Sequence, residues 1–249
     1  MPIQEFSASS LPEYTELAAS FVQKWSHDDT GEVAPWYRGQ SQASWQLVPG
    51  EYRFPIVNPD EIRSEFILKA TDLLPRVPAT EWEWYFIMQH YGLPTRLLDW
   101  TTGSLIALHF ALCTQTAEQD AAVWVLDPWD LNSRSLGSGD LLLSTDTQAD
   151  RYLPPLYGSG RIPARPIAIV PPYNSPRITV QRGAFTVHGS STRPLDDQFK
   201  SRLARIVLPS SAALRLRRQL RTAGISEFTL FPELEGLARD IKAQHVEGC

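Results

Sequence analysis

The hydrophobic period of this chain changes near residue 120, and that change limits the folds open to it. Before it, helix signals recur. Ser10 and Glu13 have capping-box spacing, followed by Tyr14, Leu17, Phe21, Val22 and Trp25 at helical intervals. Asn58-Pro59-Asp60-Glu61 opens a second helix that Pro75 stops, and Thr80 with Glu83 opens a third that runs through Tyr91 to Gly92. A fourth, from Thr102 through Ala111, is apolar nearly all round and is expected to be internal. After the change, short Val- and Ile-rich runs predict strands at 121–126, 166–170, 177–180, 184–187 and 204–208. A helix over 210–222 closed by Gly224, a strand at 227–231 and a terminal helix from Pro232 complete the pattern. Helices followed by strands predict an α+β fold, not alternating βαβ units. Residues 132–165, rich in Gly, Ser and Pro, read as a long loop with no assigned role.

The 249 residues, 43% apolar, suffice for a sizeable core, and no linker or repeat divides them, so a single domain over 1–249 is expected. Two cysteines, Cys113 and Cys249, make neither a disulfide framework nor a zinc site, which favours a reducing, cytoplasmic setting. The first residues lack the basic start and apolar run of a secretory signal. The uncharged stretch 100–117 carries too many Thr, Ser, Gln and His side chains for a membrane span, so no membrane partner is expected. A net charge of -5 argues against general nucleic-acid affinity. Its distribution is uneven, because Arg202, Arg205, Arg215, Arg217, Arg218 and Arg221 fall in a stretch with no acidic residue between Asp197 and Glu227.

No P-loop, dinucleotide-fold glycine motif, zincin helix or nucleophile elbow is present. His27, His90, His109, His188 and His245 are scattered, with no i, i+4 pair, so no metal is expected. Two segments concentrate polar chemistry. In Trp36-Tyr37-Arg38-Gly39 a cation sits beside aromatics and a glycine, which suits close approach by a flat, anionic ligand or, structurally, an edge-strand Arg covering apolar surface. The run from Gln89 to Thr101 sets seven hydrogen-bonding or titratable side chains between two apolar helices, either as a pocket or as a hinge in which Asp99 pairs with Arg96.

Taken in order, WYRG at 36–39, HYGLPTRLLDWT at 90–101, ALHFA at 107–111, QRGAFTVHG at 181–189 and LFPELEGLA at 230–238 resemble the FRG domain family over about residues 36–238. That family is named for an aromatic-Arg-Gly motif, here Tyr37-Arg38-Gly39, and its name supplies no reaction. More distantly, the order is similar to arginine-type ADP-ribosyltransferases, where an early-strand Arg precedes a hydroxyl-bearing strand, an A-x-x-F-A-like helix and a later catalytic Glu. Asp99-Trp100-Thr101-Thr102 departs from the serine-threonine-serine form of that strand, and Glu233-Leu234-Glu235 has the Glu-x-Glu spacing but opens a predicted helix.

The resemblance implies a helical N-terminal part packed on a mostly antiparallel, split sheet, and NAD as substrate. It implies ADP-ribose transfer to an unidentified macromolecule, as in a toxin or stress effector. Residues 37, 38, 90, 91, 96, 99, 101, 181 and 185 (Tyr37, Arg38, His90, Tyr91, Arg96, Asp99, Thr101, Gln181 and Phe185) would then hold the nucleotide. Glu227 or Glu233 would supply the catalytic carboxylate. Two alternatives stand beside it: a non-catalytic module binding a nucleotide or peptide, and a nucleic-acid binder using the Arg-rich stretch, in which Arg217, Arg218 and Arg221 share a helical face.

Overall fold

The computed structural model describes residues 2–25, 35–54, 56, 58–116, 118–154, 161–172 and 176–245, with backbone alone at 176–178. His27, Cys249 and part of the 132–165 segment lie outside the described residues. The chain is α+β, with helices on an eight-stranded mixed sheet. Its strands are β1 (Gln4–Ser7), β2 (Trp36–Gln40), β3 (Leu97–Thr101), β4 (Ala121–Leu126), β5 (Leu142–Leu143), β6 (Ile167–Val170), β7 (Gly183–Val187) and β8 (Leu203–Leu208). They lie in the order β1-β8-β4-β2-β3-β7-β6-β5. The two outermost pairings, β1 with β8 and β5 with β6, are parallel, and the five between them are antiparallel.

Every residue of β4 is buried, because both sheet faces are covered there. On one half, Tyr37, Val123, Val125, Ala204 and Ile206 pack under helices Leu11–Trp25, Ser104–Cys113 and Ala213–Thr222. On the other, Leu97, Phe185 and Val187 pack under Trp82, Tyr85 and Phe86 of helix Glu81–His90. The alternate residues Trp36, Leu98, Trp100, Trp124 and Ala184 form a third cluster, as period-two side chains must when both faces are buried.

Several elements differ from the sequence reading. β2 is a central strand between β4 and β3, so Arg38 is not an edge residue. The 97–101 stretch is a strand; four of its five residues are buried, which hides the alternation that would have marked it. The 177–180 run lies in helix Pro176–Gln181, whose first residue is a proline suited to that position. The 227–231 run is the helical turn Glu227–Leu230, set by a capping box in which Ser226 and Thr229 bond each other's backbone. Part of 132–165 is ordered as well, in helix Pro128–Leu136, β5 and the turn Thr147–Asp150.

The sheet is continuous where a split one was expected, but its middle is barely joined. β2 and β3 pair only through Tyr37 and Thr101, while β3 pairs with β7 over five residues and β2 with β4 over five. Beyond that single pair the strands part.

Candidate functional site

A cleft of about 390 Å³ opens where β2 and β3 part, between helix Glu81–His90 and helix Ser104–Cys113. Gly39 brings the second helix close. A Cβ there would lie 2.1 Å from the Ala107 carbonyl oxygen and 2.4 Å from the Ala111 nitrogen, so helix packing requires the glycine, which also lines the cleft. Ala107 and Ala111, the small residues of ALHFA, form the facing surface.

Arg38 spans the opening. Its Nη1 donates to the Asp99 carbonyl oxygen at 2.7 Å and stands 3.6 Å from Asp99 Oδ2. Its Nε is buried without a hydrogen-bond partner. Burial lowers the Arg38 pKa; Asp99 opposes that shift, and the positive charge of Arg53 adds to it. Arg53, Trp45, Gln89 and Phe110 also line the cleft. Arg53, the last residue of the turn Gly50–Arg53, has no sequence signal of its own. Phe185 stacks on Phe86 at 5.0 Å and 21°, and Phe86 on Trp82 at 5.5 Å and 26°, giving a rigid aromatic wall.

Of the residues proposed to hold the nucleotide, Tyr37, Arg38, His90, Asp99, Thr101, Gln181 and Phe185 line this one cleft. Two of them are committed elsewhere. The Tyr37 ring is buried, its hydroxyl donates to the Ala18 carbonyl at 3.3 Å, and burial pushes its pKa up to about 12. Thr101 Oγ1 donates to the Gln181 carbonyl at 2.6 Å and accepts from Gly103 N at 3.0 Å, which fastens the start of helix Ser104–Cys113. Arg182, beside Gln181, has φ of 48°, a left-handed conformation that costs energy without a glycine.

Tyr91 and Arg96 do not line the cleft. Tyr91 is exposed past the helix end. Arg96 is buried, with its guanidinium bonded to the carbonyls of His188, at 2.6 Å, and Tyr152. It does not pair with Asp99. Arg96 lies in the bend before β3 and Asp99 within the strand, so the spacing of three does not bring them together as it would on a helix.

The two glutamates sit elsewhere. Glu227 faces a second groove of about 1070 Å³ on another flank of helix Ser104–Cys113, where its Oε1 meets His109 Nε2 at 3.2 Å and its Oε2 accepts from Arg239 at 3.1 Å. Burial lowers the His109 pKa against the opposing pull of Glu227. Glu233 is exposed and lines neither cavity. The second groove is larger, but two of its three arginines are engaged: Arg217 bonds the Leu112 and Gln115 carbonyls and Arg221 that of Ala243, while Arg218 is exposed. Arg202 bonds Asp127, Arg205 bonds Glu5, and Arg215 bonds the Ser9 carbonyl. Of the two cavities, the smaller holds a buried guanidinium nitrogen without a partner, Arg38 Nε, beside a second cation and an aromatic wall, and is the stronger site; the other such nitrogen among the described residues, Arg63 Nε, lines neither.

Fold and site thus define an α+β protein whose sheet parts over an arginine- and aromatic-lined cleft. Residues 34–120 match the FRG domain. The matched segment contains β2, β3 and the two helices that flank the cleft, whereas Gln181 and Phe185 lie outside it. No curated protein and no solved structure matches this chain. No helix among the described residues is long and apolar enough to cross a membrane.

Proposed function

We propose that the cleft binds NAD or a related nucleotide and that the protein is an ADP-ribosyltransferase-like enzyme acting on a macromolecule. The supporting observation is the Arg38 guanidinium, with a buried Nε lacking a partner and a second cation, Arg53, opposing it. A phosphate entering the cleft offsets the like-charge repulsion between Arg38 and Arg53 and accepts from the part of the Arg38 guanidinium that lines it. Two guanidiniums suit a diphosphate, and the Phe86–Phe185 stack offers a flat wall to a base or nicotinamide ring. About 390 Å³ is at the small end for ligand pockets, which fits partial burial of a dinucleotide.

Breaking the bond between nicotinamide and ribose develops positive charge at the ribose carbon, and the acceptor's nucleophile replaces the departing nicotinamide, which leaves with the bonding electrons. A carboxylate near that carbon stabilises the charge and takes the nucleophile's proton. Asp99 is the only carboxylate among the described lining residues, so in this reading it takes the role that residue order assigned to Glu227 or Glu233. The functional unit is the whole chain, because β7 and Gln181 complete the cleft from beyond residue 120.

The test is calorimetric titration of NAD into wild type and Asp99→Asn, with nicotinamide release followed in parallel, water replacing the macromolecule as the nucleophile at the ribose carbon. Wild type should bind and release nicotinamide; Asp99→Asn should bind similarly and release it roughly 100-fold more slowly or worse. Binding without release by wild type would leave a nucleotide-binding module and remove the transferase. Absence of binding by folded wild type would sink the nucleotide reading.

A further inference from the structure

Asp99 is gripped from a second side. Gln89, in the last turn of helix Glu81–His90, donates from Nε2 to Asp99 Oδ2 at 2.8 Å. A glutamine amide has two unlike ends, and the orientation here is set from behind. Thr95 Oγ1 donates to Gln89 Oε1, and the same hydroxyl accepts from Leu97 N at 3.1 Å. Thr95 is 1% exposed, so water does not compete for its proton. The bonds therefore run in one sense, from Leu97 N–H through the Thr95 hydroxyl and the Gln89 amide to Asp99. Turning the amide round would set two acceptor oxygens 2.8 Å apart.

Both Gln89 Nε2 and Arg38 Nη1 approach the same carboxylate oxygen, Oδ2. Oδ1 takes neither contact. We propose that Gln89 and Thr95 are positioning residues: they pin Oδ2 of Asp99 and thereby present Oδ1 to the reacting ribose carbon. The assignment rests on the transferase reading above. It also accounts for polar residues at 89, 95 and 99 of the central segment, which join a helix end, a turn and a strand into one chain of hydrogen bonds.

The experiment uses the whole 249-residue chain with NAD as probe. Gln89→Leu and Thr95→Val should each slow single-turnover nicotinamide release about tenfold or more, with NAD affinity within about twofold of wild type. Thr95→Ser, which restores the hydroxyl, should rescue most of the rate. In an Asp99→Asn background, Gln89→Leu should cause no further loss, since its effect passes through Asp99. A merely structural role would weaken binding and rate together and would persist in that background. Losses that add to those of Asp99→Asn, or full activity in Gln89→Leu, overturn the proposal.

A readout independent of turnover separates it from the reading beneath it. The side-chain amide ¹⁵N–¹H signals of Gln89 should move in Thr95→Val and Asp99→Asn and stay in place in Thr95→Ser. Signals that ignore these substitutions refute the hydrogen-bond chain itself. Signals that respond in a protein releasing no nicotinamide refute the transferase reading, and the positioning role falls with it.

Discussion

Arg38 Nη1 donates to the main-chain oxygen of Asp99 at 2.7 Å across the point where β2 and β3 are held by one residue pair. One guanidinium thus bridges the parting strands and lines the cleft. A lysine has the charge but lacks the fork that can serve the carbonyl and a phosphate together. Arg38→Lys is expected to stay folded and to lose about 10- to 100-fold in NAD affinity, with Arg38→Ala losing more. Calorimetry with circular dichroism checks this, and unchanged affinity in Arg38→Ala would move the ligand elsewhere.

Gly39 should resist the smallest enlargement. The Cβ of Gly39→Ala meets main-chain atoms of helix Ser104–Cys113, which cannot rotate aside as a side chain would. The cost should be about 1–3 kcal/mol, by overpacking and not by backbone strain. A melting temperature equal to wild type would show that the helix slides freely on β2.

Asp99 and Arg96 separate function from stability. Asp99 has a side chain 59% exposed, so Asp99→Asn should change stability by no more than about 1 kcal/mol. Arg96→Met strips partners from two carbonyls around a buried site and should cost roughly 3 kcal/mol. Urea titration of both variants decides; the reverse ranking would mean that the two residues do pair.

Acid should weaken the fold through His188. Burial and the nearby Arg96 charge push its pKa down to about 3, and neither ring nitrogen has a partner. The unfolded chain takes up that proton near pH 6.5 while the folded protein stays neutral. Stability from this residue is therefore complete above that pH and falls by up to about 1.4 kcal/mol per unit down to about pH 3. Urea midpoints at pH 7, 5.5 and 4.5 should show the decline, and His188→Leu should flatten it. An equal decline in His188→Leu would assign it to other groups.

Arg217 and Arg218 adjoin in sequence and differ in duty. Arg217 clamps two carbonyls at the end of helix Ser104–Cys113, whereas Arg218 is exposed. Arg217→Ala should cost about 1.5–3 kcal/mol and Arg218→Ala less than about 0.5. Gel-shift titration at two salt concentrations tests the nucleic-acid alternative: tight, salt-sensitive binding lost in Arg218→Glu would favour it over the nucleotide cleft.

Local chemistry carried much of this protein in its sequence. Thr80 and Glu83 cap helix Glu81–His90 as read, Gly92 follows it with φ of 82°, and the Val-rich run at 121–126 is β4 to the residue. These features depend on neighbours a few positions away, and so did the density of polar residues in 36–39 and 89–101 that lines the cleft. Tertiary structure alone decided which of those side chains meet. It turned Arg96 inward to the His188 carbonyl and left Asp99 exposed, set Gly39 against a helix, brought Arg53 to the cleft and carried Glu227 to another groove. The physical reason is that pairing between strands distant in sequence is selected by the burial of both sheet faces together. No window of residues contains that constraint, and the parting of β2 from β3 exists only once helices Glu81–His90 and Ser104–Cys113 have packed on either side of it.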